Sequence, residues 1–373
     1  MGNFINQNNA ISNLILNSNE LIMLLNELYL DSNTRFTIVD CLYGLNLFNV
    51  NISDKIEIEL AIKLNDIKDA YNKIPNELRE EFPSKSRFFE IFTKSGFYFE
   101  TYEKEFEKLI EELENLNILE GDMPIALFFD TNLYYDQLFT QLSNLLKKKY
   151  RKPKYPIYFL LSEGVKKELI TYEHKYKVDD LEKMKENCVY PDIIEEFFNQ
   201  NKFKARIKHL GHIDFLKCNE NVYSKIIEED ESIDKNDMDS RIIQGLIKEI
   251  RQQNIKLYLY SQDSDFIARA RGNRNLITKH LEKIPQSMLK NKYCCEWELF
   301  NRFLYNLVIT FGAIIIDILN SPNLFLYGIW RGKKLNDWEK ENLKIISSNP
   351  ILKRIEKDLS ILNNIKIEEG FSN

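Results

Sequence analysis

The residues of this chain with chemistry to offer are carboxylates that arrive in short segments, Asp130 directly after an apolar run and Asp263 and Asp265 shortly after another. Asp130 follows IALFF (Ile125 to Phe129) and is itself followed by Thr131 and Asn132. Glu168 lies in SEGVKKEL, Asp239 opens DSRIIQGL, and Asp263 and Asp265 sit in LYSQDSDF. Oxygen-only donors of this kind suit hard divalent cations, Mg2+ or Mn2+. Cations held this way activate a water for in-line attack on a phosphodiester and stabilise the departing oxygen. Thr131, Asn132 and Ser261 carry the short hydroxyl and amide groups that orient carboxylates. The four histidines, His174, His209, His212 and His280, have no serine or cysteine motif beside them. No Gly-rich loop ending in Lys and Ser or Thr occurs, which removes a phosphate-binding NTPase.

The elements that must position these acids follow from the apolar pattern. A five-residue apolar run without helical period predicts a buried parallel strand, which puts Asp130 at its carboxyl end. In open α/β sheets ligands bind at that edge, and LYYDQLFTQLSNLL supplies the helical crossover. A second strand is predicted at Ile157 to Leu161. Ser162 then caps a helix whose apolar face, Val165, Leu169 and Tyr172, has Glu168 on its flank. Asp239 is the predicted cap of a helix with the stripe Ile242, Ile243, Leu246 and Ile250. Glu163 and Asp237 are the substitutes if these registers shift. A third strand, Leu257 to Tyr260, runs into Ser261, with Asp263 and Asp265 bracketing a tight turn into a short helix.

FFDTN, SEGVKKEL, DSRIIQGL and LYSQDSDF, in this order and on these elements, resemble the PIN domain family of metal-dependent nucleases over roughly residues 122–285. The resemblance implies Asp130, Glu168, Asp239 and Asp263 as catalytic metal ligands for Mg2+ or Mn2+, with Asp265 as a catalytic neighbour. It implies an endoribonuclease acting on RNA ahead of DNA; the alternative is a PIN-like module that binds RNA or protein without cutting. A phosphatase of the haloacid dehalogenase type would need a second Asp where Asn132 stands. Nucleic acid contacts are expected from Arg269, Arg271 and Arg274, and from Lys204 and Arg206 within a basic segment. The cluster from Lys147 to Lys154 enters the second strand from the end away from the acids.

Composition bounds the rest. The 373 residues are 44% hydrophobic and 29% charged, enough for a sizeable core and two or three modules. With 51 Lys plus Arg against 57 Asp plus Glu the net charge is −6, so a polyanion has to be held by local patches. Five cysteines without CxxC spacing suit a reduced, cytoplasmic setting. The N-terminus MGNFINQNNA lacks the pattern of a signal peptide, and Asn306 and Asp317 interrupt the apolar stretch Phe303 to Leu319, which is read as buried sheet. The predicted architecture is α/β: a PIN-like three-layer α/β/α domain with a central parallel sheet at 121–285, carrying an insertion at about 175–235. A mainly helical region at 1–120 precedes it, and a small α+β extension at 286–373 follows. TRFTIVDCLYGLNLF reads equally as strand or helix. The flanking regions are candidates for a regulatory protein partner or for homo-oligomer contacts.

Overall fold

A computed structural model describes residues 11–150, 155–170 and 174–368. The N-terminal MGNFINQNNA and the second half of the Lys147 to Lys154 cluster lie outside the described residues. Thirteen strands are described: β1 (Ser12–Leu16), β2 (Arg35–Asp40), β3 (Asn46–Ile52), β4 (Ile56–Leu60), β5 (Ile125–Phe129), β6 (Tyr158–Ser162), β7 (Ser224–Ile227), β8 (Lys256–Ser261), β9 (Leu276–His280), β10 (Lys292–Cys295), β11 (Ala313–Ile318), β12 (Leu324–Tyr327) and β13 (Leu343–Ser347). They form two sheets, an α/β arrangement with one parallel and one antiparallel sheet.

The packing divides the chain into two discontinuous units: residues 1–91, 175–203 and 289–373, and residues 92–174 and 204–288. The second contains the parallel sheet, in the order β7-β6-β5-β8-β9. All five residues of β5 are buried, as the unbroken apolar run requires. Helix Glu100–Asn115 lays Tyr102, Phe106, Leu109, Ile110 and Leu113 into this core, and Met238–Gln253 adds Ile242, Ile243, Leu246, Ile247 and Ile250. The latter helix runs so close to the chain leaving β7 that a Cβ on Gly245 would lie 2.5 Å from the Glu228 carbonyl oxygen. Helix Leu138–Lys149 starts after Gln137 at φ +54° with no cap of its own. Asp214, wholly buried on helix Phe203–Asn219, reaches its free amides instead, accepting from Phe139 N at 3.1 Å and Thr140 N at 3.0 Å.

The first unit is built on an eight-stranded sheet in the order β1-β13-β12-β11-β2-β3-β4-β10, antiparallel in all its pairings. The region expected to be mainly helical, 1–120, holds helices Leu21–Leu30, Leu64–Lys73, Lys85–Ser95 and Glu100–Asn115, and also β1 to β4, which belong to this sheet. Ile56, Ile58 and Leu60 alternate with Glu57 and Glu59 at period two, a strand pattern, and the helix that follows them is confined to Leu64–Lys73. The ambiguous TRFTIVDCLYGLNLF resolves into the β2–β3 hairpin. The stretch read as sheet from Phe303 to Leu319 is half helix: Trp297–Phe311 is buried on nearly every side, so its sequence shows no polar face. Phe48 of β3 stacks on Phe88 at 5.5 Å and meets Phe303 edge-on at 5.1 Å. Nearby in sequence, the buried Lys333 lays its ammonium over Trp338 at 3.9 Å and Trp330 at 4.5 Å and donates to the Gly328 and Asn342 carbonyls. All three tryptophans of the chain, Trp297, Trp330 and Trp338, belong to this unit.

Candidate functional site at the carboxyl edge of the parallel sheet

In the parallel sheet the crossovers from β5 lead to β6 on one side and, later in the chain, to β8 on the other, so the strand order reverses beside β5. Ligands of open α/β sheets bind outside the carboxyl ends at such a point. Asp130 follows β5 there, with φ −69° and ψ 160°, and caps helix Thr131–Tyr135 by accepting from Thr131 N at 2.7 Å. The pairing of Phe129 with Tyr260 puts Ser261 beside it, and the Ser261 hydroxyl donates to Asp130 Oδ2 at 2.7 Å. Asn132 Nδ2 approaches the same oxygen at 3.5 Å.

Three further acids face Asp130 or one another. Glu168, exposed near the end of helix Glu163–Leu169, accepts from Thr131 Oγ1 at 2.6 Å. Asp263 caps helix Ser264–Ala270, accepting from Asp265 N and Phe266 N. Burial pushes the Asp130 carboxyl above its ordinary value; the Ser261 and Thr131 hydrogen bonds oppose this, while Glu168 and Asp239 add to it. Asp239 is also raised, by burial first; Arg269 pulls it down, and Asp263, Glu168 and Asp237 push it up. Asp130, Glu168, Asp239 and Asp263 are therefore one electrostatic neighbourhood. Asp265 offers the group its backbone N–H, and its side chain is exposed.

Several expected roles shift. The cap of helix Met238–Gln253 is Asp237, which accepts from Ser240 N at 3.3 Å, so Asp239 lies two residues further on, within the first turn. Glu163 points to Lys166 at 3.2 Å. Arg269 is tied to this cluster, 2.9 Å from Asp237 Oδ1 and 3.9 Å from Asp239 Oδ2. Arg271, Arg274 and Lys204 are exposed, whereas Arg206 is 0% exposed and out of reach of any external chain. Sequence reasoning missed Glu229, which accepts from the Ser162 hydroxyl at 2.8 Å and from Gly164 N. Its signal was its place two residues past the short strand β7, inside the acidic run Glu228 to Ser232.

Three serines near this edge spend their hydroxyl protons on carboxylates: Ser162 on Glu229, Ser240 on Asp237 and Ser261 on Asp130. None of these three meets an imidazole. His280 Nε2 lies 3.3 Å from the Gln262 carbonyl, and His209 and His212 are buried side by side with ring centres 5.8 Å apart. Among the described residues no three His, Cys, Asp or Glu side chains converge closely enough to hold a metal ion.

Comparison with known families gives a different parentage from the one the motifs suggest. The model of the serine carboxypeptidase family matches residues 43–298, a span that takes in parts of both units. No curated protein and no solved structure matches the chain. The family match overturns the resemblance to PIN nucleases and, with it, the expected ribonuclease activity, RNA-binding role and nucleic acid partner. It also removes the expected Mg2+ or Mn2+ cofactor, for which the acid cluster is too open. The family's description implies a serine nucleophile, which needs a base beside its hydroxyl, and the hydroxyls at this edge have carboxylates there instead. On a match that covers more than half of its length, the chain belongs to the serine carboxypeptidase family.

Proposed function

We propose that the chain is a hydrolase of peptide substrates whose reaction centre is the carboxylate group Asp130, Glu168, Asp239 and Asp263. The substrate class rests on the family match, and the place of the reaction rests on the geometry. One observation carries the site: Asp130 is held by Ser261 and Thr131 at a strand's carboxyl end, its carboxyl raised by burial and by the acids beside it. Carboxyls with unequal surroundings divide the work of acid and base. The raised Asp130 or Asp239 is suited to give a proton to a leaving group, and the exposed Glu168 to take one from an attacking water. Thr131 and Ser261 hold Glu168 and Asp130 in place by their hydrogen bonds. The free cysteines Cys41, Cys188, Cys218, Cys294 and Cys295 suit a reducing compartment, and no helix among the described residues is long and apolar enough to cross a membrane.

The test is a library of peptides assayed for release of residues, with wild type, Asp130→Asn and Ser261→Ala, each also exposed to a fluorophosphonate that labels activated serines. Loss of about 100-fold or more for Asp130→Asn, with a folded protein by circular dichroism and no labelled serine, supports the carboxylate centre. Labelling of one serine that abolishes hydrolysis while Asp130→Asn remains active would move the centre to that serine. Hydrolysis of a phosphodiester substrate with every peptide left intact would overturn the substrate class.

A further inference from the structure

We propose that the polar face of the eight-stranded sheet is a docking groove for an extended basic peptide carrying cationic side chains four residues apart. The groove, of about 480 Å3, is lined by residues of β2, β3, β4, β10 and β11 and by Leu319 just beyond. Its floor is a row of directly opposed residues: Asp317 faces Thr37, Thr37 faces Asn49, Asn49 faces Glu59 and Glu59 faces Lys292. A second row, two residues along, runs from Arg35 through Asn51 to Glu57. Side chains of a strand alternate in direction, so both rows stand on the same face.

Charge selects the occupant. Lys292 lies 3.4 Å from Glu57, and Thr37 Oγ1 donates to Asn49 Oδ1 at 3.3 Å. Glu59, Asp317 and Arg35 have no side-chain hydrogen bond or ion pair among the described residues. Two unpaired carboxylates against one unpaired guanidinium repel a polyanion and attract a chain with two cations. Glu59 and Asp317 are three strand spacings apart, about 14 Å at ~4.8 Å per spacing. An extended peptide laid across the strands advances about 3.4 Å per residue and turns every second side chain to the same face. Its residues i and i+4 therefore come down about 14 Å apart, one over each carboxylate. The amide of Asn49 lies between, where a peptide backbone passes, and the row of Asn51 and Arg35 stands about 7 Å to one side, with Arg35 placed for an acidic group of the ligand.

Fluorescence anisotropy with labelled seven-residue peptides in a Ser/Thr background tests this. One peptide carries Lys at positions 2 and 6, and its isomer carries Lys at 2 and 5, on opposite faces. The 2,6 peptide should bind at least tenfold tighter than the isomer, and its binding should weaken with added salt. The Glu59→Gln/Asp317→Asn variant should lose at least tenfold toward the 2,6 peptide. Glu59→Lys/Asp317→Lys should restore binding to a peptide with Glu at 2 and 6, which a merely misfolded variant would not. Equal affinity for the two isomers, or affinity unchanged in the Gln/Asn variant, overturns the proposal. So does displacement of either peptide by spermidine with no preference between isomers, which would make the groove a site for small polyamines.

Discussion

The two sheets bury their strands differently, and the difference decides what each can carry. β5 is covered on both faces, so the functional groups of the parallel sheet are confined to the ends of its strands, where Asp130, Ser162 and Ser261 emerge. β4 is covered on one face: Ile56 and Ile58 are buried while Glu57 and Glu59 face outward. The antiparallel sheet can therefore display polar side chains along the middle of its strands. One sheet concentrates its polar groups at a rim and the other spreads them over a surface.

The largest effect that bears on this contrast comes from consecutive truncations. Leu127→Ala and Phe128→Ala in β5 should each cost about 2–5 kcal/mol, because both neighbours are buried. In β4, Ile58→Ala should cost about as much, while Glu57→Ala and Glu59→Ala stay within about 0.5 kcal/mol. Urea unfolding of the five variants checks it. A near-neutral Leu127→Ala, or a costly Glu59→Ala, would break the distinction.

Each unit also holds one buried aspartate whose carboxyl burial pushes up to about 6 from the usual 3.8: Asp40 at the end of β2 and Asp214 on helix Phe203–Asn219. Asp40 accepts from Leu42 N, Tyr43 N and Leu45 N, yet desolvation outweighs these bonds. A carboxyl raised in the folded state lends stability that is full below about pH 3.8 and is lost as pH rises through about 6. The loss is about 3 kcal/mol for each group over that interval. Asp40→Asn and Asp214→Asn should each flatten the fall of stability between about pH 4 and 6, whatever constant offset the amide introduces. Unfolding midpoints followed across that range give the slopes; slopes identical to wild type would mean that both groups ionise as freely in the fold as outside it.

The smallest effect should be that of Lys149→Ala. Lys149 reaches Glu103 at 2.7 Å and also Glu107, joining two helices of the parallel-sheet unit, but all three side chains are about a third exposed or more. A small fall in melting temperature that vanishes in about 0.5 M salt is expected from thermal melts at two ionic strengths. A fall that persists undiminished at high salt would show that this contact behaves as if buried.

The contrast between the sheets also governs what was legible in the sequence. The runs ending at Phe129, Leu161 and Tyr260 announce themselves, because burial on both faces leaves no polar interruption. The strands β2, β3 and β4 did not, since an alternating segment of five to seven residues joined to a helix such as Leu64–Lys73 offers apolar residues at both spacings. The acids gathered near Asp130 were legible from their places after strands and at helix starts. The shift of the cap from Asp239 to Asp237 was not, because two aspartates two residues apart compete for one helix end and only backbone geometry decides. Arg206 shows the limit of reading charge as surface: its neighbours in the basic segment are accessible, while it is enclosed. The serine carboxypeptidase parentage could not be read from any short motif, as no serine stands in a recognisable nucleophile setting.

The placement of the tryptophans makes the molecule its own optical reporter. With Trp297, Trp330 and Trp338 all in the antiparallel unit, indole emission follows the melting of that unit alone. The Lys333 ammonium lies against the Trp330 and Trp338 rings, so a change in their emission is expected when that contact opens. Far-ultraviolet circular dichroism registers the helices of both units. Two melting curves recorded on one sample, by emission and by dichroism, thus separate the units without any label, and their coincidence or divergence reads out directly whether a chain that passes repeatedly between the two units lets either one come apart first.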